Sequence, residues 1–188
     1  MARFMNVFSR LTCVLIIAFA GCMRSTPRSG VAATANADSF GGLRYQRPPG
    51  FIGWCRRGSV YYERPGLVDG AFCRFFIEWP AGVHNSLEED FEDNFKNFCP
   101  VSTNARMREP TVTNGRQGQR IAVATYEGIA WNGTAKLYGS TCMVRLKGVS
   151  CVAGVSTNVS TAWPLCRQIA NGLYTSMEFD PDWLASRK

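Results

Sequence analysis

Between residues 111 and 155 the chain places turn dipeptides so closely between strand-like runs that only antiparallel neighbours can be joined. Strand-like stretches lie at Thr111–Thr113, Gln119–Tyr126, Ala135–Leu146 and Val149–Val155, separated by Asn114–Gly118, Asn132-Gly133 and Lys147-Gly148. A connection of about two residues closes a hairpin, whereas a parallel crossover needs a dozen or more. Within the second run Ile121, Val123 and Thr125 alternate with Ala122, Ala124 and Tyr126, the period-two pattern of a strand. The centre of the chain is therefore expected to be an antiparallel meander.

Helices flank it. In 86–98, Ser86 is a candidate cap, Glu89 completes a capping box, and Leu87, Phe91, Phe95 and Phe98 fall on one stripe. Thr161 is a candidate cap for a closing helix, with Pro164 in its first turn and Leu165, Cys166, Ile169 and Leu173 expected inward. Upstream, Pro48-Pro49-Gly50 turns the chain, Ser59–Glu63 and Gly70–Trp79 read as strands, and Arg64-Pro65-Gly66 is a turn between them. Strands with helices at both ends of the order give an α+β class: an antiparallel sheet with two or more helices packed on it.

The N-terminus carries an address. Arg3 and Arg10 precede the apolar run Leu11–Ala20, which is too short to cross a bilayer as a helix and suits a secretory signal. Phe19-Ala20-Gly21-Cys22 resembles the lipobox of bacterial lipoproteins, with Phe19 standing where that pattern usually has Leu. The resemblance implies cleavage before Cys22, lipidation of its sulfur and anchoring in a membrane. Met23 rather than Asp follows, which by analogy favours the outer membrane of a two-membrane cell; plain secretion is the alternative. The expected organisation is a signal peptide over 1–21, a flexible tether over 22–42 and one domain over 43–188, since 22–42 is small and polar and lacks a hydrophobic period.

That address sorts the cysteines. Of eight, Cys13 leaves with the signal and Cys22 goes to lipid, so Cys55, Cys73, Cys99, Cys142, Cys151 and Cys166 remain. An even number in an exported chain reads as a disulfide-stapled framework. Proximity along the expected elements suggests Cys55–Cys73, Cys99–Cys166 and Cys142–Cys151. No CxxC spacing occurs and His84 is the only histidine, so no metal and no cofactor is expected. Without its signal the chain keeps 19 basic against 14 acidic residues, a mild excess suited to a solvated basic surface or an anionic one nearby. Nucleic acid is excluded by the exported location.

The order of elements resembles the PsbP/Mog1/DcrB-like group, which includes many small envelope lipoproteins. The resemblance rests on Pro49-Gly50 followed by Trp54, the acidic Leu-containing helix, Thr111–Ile121 (TVTNGRQGQRI), the meander, and Ser176-Met177-Glu178-Phe179 closing the last helix. It covers most of 50–179 and implies a twisted antiparallel sheet with helices packed on it. It carries over no catalytic residue and implies a binding or accessory role. Six cysteines are a departure from that group.

No Gly-x-Ser-x-Gly elbow and no Gly-rich phosphate loop is present, so no catalytic residue is assigned. The expected function is a membrane-anchored envelope lipoprotein whose domain binds a protein or envelope component. Trp131 and Asn132, at a hairpin tip, are the candidate binding residues. The rival readings are an envelope hydrolase or lyase using His84 with a carboxylate, and a secreted structural or inhibitor module.

Overall fold

A long ladder runs through the centre of the molecule. The structure, a computed structural model, describes residues 37–67, 70–98, 106–130, 133 and 135–187. Among these residues twelve strands and three α-helices follow in order: β1 (Ala37–Phe40), β2 (Leu43–Gln46), β3 (Ile52–Arg56), β4 (Ser59–Glu63), β5 (Cys73–Glu78), β6 (Ala81–Gly82), α1 (Leu87–Phe98), β7 (Arg106–Met107), β8 (Thr111–Asn114), β9 (Arg120–Ile129), β10 (Lys136–Leu146), β11 (Val149–Thr157), α2 (Trp163–Ser176), β12 (Glu178–Phe179) and α3 (Pro181–Ala185). The main sheet runs β3-β4-β5-β11-β10-β9-β7, with β6 paired to β11 and β8 to β9; a smaller sheet is ordered β1-β2-β12. Every pair is antiparallel. The α+β expectation and the meander both hold.

Turn chemistry explains the tightest hairpins. Lys147 (φ 48) and Gly148 (φ 80) form the two-residue link from β10 to β11, and Arg57 (φ 47) with Gly58 (φ 78) does the same from β3 to β4. Two successive positive φ values are the type I′ geometry that matches strand twist. The β9–β10 connection is longer than Asn132-Gly133 alone suggests: the ladder stops at Ile129↔Lys136. Ala130 N–H then reaches the Ala135 carbonyl at 2.8 Å.

Both faces of the main sheet are covered, because β9, β10 and β11 carry apolar residues on both sides. On one face α2 lays Cys166, Ala170, Leu173 and Tyr174 over Val60, Phe75, Ile77, Val144 and Val155, all buried. This core continues to Leu43, Tyr45 and Phe179 of the smaller sheet. On the other face α1 places Leu87 and Phe91 against Ala122, Ala124, Met143 and Val152. Its capping box forms as expected: the Glu89 N–H donates to Ser86 Oγ at 3.2 Å and the Ser86 N–H to Glu89 Oε2 at 3.0 Å. Hydrogen bonds to the Ser86 backbone and side chain hold the Glu89 carboxyl below its usual range.

Two stretches quoted for the family likeness clasp each other. The buried Gln119 side chain donates to the Met177 carbonyl at 2.9 Å. Gln117 donates to the Phe179 carbonyl and accepts from the Phe179 N–H, each at 2.9 Å. The 115–119 turn thereby ties the end of α2 to the meander. Asp180 caps α3 by accepting from the N–H groups of Asp182 and Trp183 and pairs with Arg44.

Several expectations are corrected. Strand β1 begins at Ala37, inside the stretch expected to be tether, and pairs with β2. Leu165 is 44% exposed rather than inward; the buried stripe of α2 is 166, 170, 173 and 174, one helical face at i, i+4, i+7 and i+8. Thr161 does not cap α2, whose N-cap is Ala162 after a 3₁₀ turn at Ser160–Ala162.

The cysteine framework also differs. One disulfide joins Cys73 of β5 to Cys166 of α2, replacing the expected Cys55–Cys73 and Cys99–Cys166 bridges. Cys55 stands opposite Val60, and Val60 opposite Ile77. Its row therefore crosses β5 four residues from Cys73, roughly 13 Å along the strand. Cys142 and Cys151 are buried thiols, not a bridge. Cys142 faces Ala153 and Cys151 faces Val144, a diagonal with Cβ atoms about 7–8 Å apart where a disulfide needs about 3.5–4.5 Å. Burial pushes both thiols up, helped at Cys142 by Cys151 and at Cys151 by Glu78. Cys22 and Cys99 lie outside the described residues.

Candidate functional site

Where α2 begins, its cover of the main sheet runs out over β7, β9 and β10, and a cleft of about 300 Å³ opens. Its floor follows from register. Arg106 stands opposite Glu127, and Glu127 opposite Tyr138. Arg108 donates its backbone N–H to the Thr125 carbonyl at 2.9 Å, which sets it beside the next row. Residues 106 and 108 share one face because strand side chains alternate, and Met107 between them packs on the α1 side. The far wall is α2: Trp163 and Arg167 are one turn apart and both line the cleft.

The charge balance is one-sided. Arg106, Arg108 and Arg167 all line the cleft, and Glu127 is the one carboxylate among the lining residues. Glu127 is already engaged by Lys136 Nζ at 3.4 Å. That contact raises the Lys136 pKa through its hydrogen bond and charge. Lys136 also lies 5.1 Å from the Tyr138 ring centroid. Three guanidiniums thus share a concave surface with two aromatic rings and the Thr125 side chain. Such a surface can hold an anion; it has no cysteine, histidine or paired carboxylates with which to cleave one.

Trp131 and Asn132 fall outside the described residues. His84 is exposed in the loop before α1, and its backbone N–H approaches Asp90 Oδ2 at 3.5 Å. Asp90 also accepts from Asn85 and pairs with Arg145. Burial alone would raise the Asp90 carboxyl, but the His84 and Asn85 donors and Arg145 hold it below its usual range. The carboxylate beside His84 is thus committed to holding α1 in place. Among the described residues no three His, Cys, Asp or Glu side chains converge as metal ligands.

The cleft arginines escaped sequence reading. Arg106-Met107-Arg108 does show a charged–apolar–charged alternation, but only the β7–β9 register and the start of α2 make it a wall of a cavity.

The solved structures supply a comparison for the fold. The solution structure of cyanobacterial PsbP (CyanoP) from Synechocystis sp. PCC 6803 aligns with a TM-score of 0.51 at 12% identity, over 81% of this chain and 98% of that one. The fold is PsbP-like. The crystal structure of LpqN, involved in cell envelope biogenesis of Mycobacterium tuberculosis, aligns with a TM-score of 0.48 at 10% identity, over 74% of this chain and 83% of that one. A protein of unknown function from Pseudomonas aeruginosa, described as a putative regulator, aligns at 0.45 and 11% identity, over 73% and 94%. No family model matches the chain, and no curated protein matches it. The PsbP-like frame therefore rests on topology, and the cleft must be read from this chain's own residues.

Proposed function

We propose that this chain is an exported, lipid-anchored binding module that presents the α2-end cleft to an anionic protein or envelope component. The observation that carries the reading is the cleft itself: three arginines facing a cavity whose one carboxylate is engaged by Lys136. The N-terminal apolar run ending in Ala20-Gly21-Cys22 supports export and anchoring, and the Cys73–Cys166 disulfide suits an oxidising compartment. Two or three acyl chains at Cys22 hold firmly, each buried methylene adding about 0.8 kcal/mol. No described helix is long and apolar enough to cross a membrane. The role is accessory rather than catalytic. Feeding cells a clickable palmitate analogue tests the anchor: wild type should be labelled and sediment with membranes. Cys22→Ser should lose the label and move to the soluble fraction, and label that persists in Cys22→Ser overturns anchoring.

A further inference from the structure

We infer that the cleft takes a phosphorylated sugar or polyol, with the phosphoryl group among Arg106, Arg108 and Arg167 and the ring against Tyr138 and Trp163. The inference rests on the reading of the cleft as the binding surface and narrows its ligand.

Geometry favours a phosphoryl group over a carboxylate. A carboxylate presents two oxygens and is satisfied by one bidentate guanidinium. Here the cleft collects three guanidiniums from two parts of the chain: residues 106–108, which begin in β7, and the first turns of α2. Arg106 and Arg108 rise from one strand face about 6.6 Å apart, and Arg167 faces them from the helix. A phosphomonoester, with three terminal oxygens and close to two negative charges, can engage all three. Glu127 opposes an anion least while Lys136 occupies it at 3.4 Å. The Thr125 side chain adds a hydroxyl on the floor.

The rest of the cleft sets the size and polarity of the remainder. About 300 Å³ is at the small end of ligand pockets, roughly 300–1,000 Å³, which suits one ring and its phosphate. Tyr138 and Trp163 offer apolar faces with polar tips, a surface for the C–H face of a hydroxylated ring. The same monoester chemistry is found in a free sugar phosphate and in the head group of a lipid whose sugar or polyol carries a terminal phosphate.

Calorimetric titration of the detergent-purified full-length protein with soluble probes separates these sources. Glucose 6-phosphate represents the free monoester and glycerophosphoinositol 4-phosphate the chain-free head group with a terminal phosphate. Glucose and glucuronate are the uncharged and carboxylated controls. One or both phosphorylated probes should bind, at least tenfold tighter than glucose or glucuronate. The tighter of the two names the source. Arg106→Gln/Arg108→Gln should weaken that binding tenfold or more, with Arg167→Gln as an independent check and Arg64→Gln, exposed and outside the cleft, unchanged. Glucose binding as well as either phosphorylated probe overturns the inference. Glucuronate binding best, and losing it in the arginine double variant, overturns the phosphoryl assignment while keeping the cleft. No dependence of any anion on these arginines overturns both the inference and the cleft.

Discussion

The two faces of the main sheet are built differently. Under α2 the side chains are large, buried and stapled: Phe75, Ile77, Val144 and Val155 are fully buried in the core that Leu173 joins, and a disulfide ties the helix to β5. Under α1 the sheet offers Ala122 and Ala124 beside Met143 and Val152, so less apolar area is available. Charge completes that attachment: Arg145 reaches Asp90 and the Asn85 carbonyl, and Arg120 reaches Glu88 at 2.6 Å. A helix placed by packing is indifferent to pH and salt. A helix placed partly by ion pairs is not. The cleft lies on the first kind of face, at the edge where the cover of α2 ends, and its three arginines are exposed there.

The contrast predicts a ranked series of losses. Phe75→Ala should cost most, about 3–5 kcal/mol, since the ring is fully buried and its site is held by neighbours that cannot collapse. Next comes Cys73→Ser with Cys166→Ser, about 2–4 kcal/mol, because the bridge closes a separation of 93 residues in the unfolded chain. Phe91→Ala should cost less than Phe75→Ala, about 3 kcal/mol, because fewer large side chains surround it. Urea midpoints of the variants give the order directly, and a Phe91→Ala loss equal to that of Phe75→Ala would erase the distinction between faces.

Asp90 sharpens the comparison through pH. Its folded carboxyl sits below the usual range, so its contribution is complete above about pH 4 and is lost as pH falls through the lowered folded value. Wild type should therefore lose stability more steeply than Asp90→Asn as pH falls below about 4. At neutral pH Asp90→Asn should be less stable than wild type, by less than the Phe91→Ala loss. Arg120→Gln is the smallest effect: its pair with Glu88 is half-exposed at 49% and 52%, so a loss seen at low salt should vanish at about 0.15 M.

What the sequence made legible was what is local. The Ser86–Glu89 box, the Lys147-Gly148 turn and the α2 stretch around Pro164 each lie within a few residues, and each is found in the structure. What it hid depends on distant partners. The β3–β4 hairpin was missed because Arg57 adopts a positive φ that its residue type does not announce. The small β1-β2-β12 sheet brings residues 37–46 to residues 178–179, a juxtaposition no local pattern encodes. Cys73 finds Cys166 because α2 crosses β5, not because the two are near in sequence. The cleft is the extreme case, since its arginines come from an edge strand and a helix more than 50 residues apart.

Hydrogen–deuterium exchange of the intact protein, with and without the tighter-binding phosphorylated probe, tests the contrast and the cleft together. Without ligand, buried amides of α2 should exchange only through global opening, and those of α1 at least about tenfold faster. Added ligand should slow exchange at residues 106–108, 125–127 and 163–167 and leave α1 unchanged. Equal protection of the two helices, or ligand protection appearing on the α1 face instead of the cleft, would contradict this account.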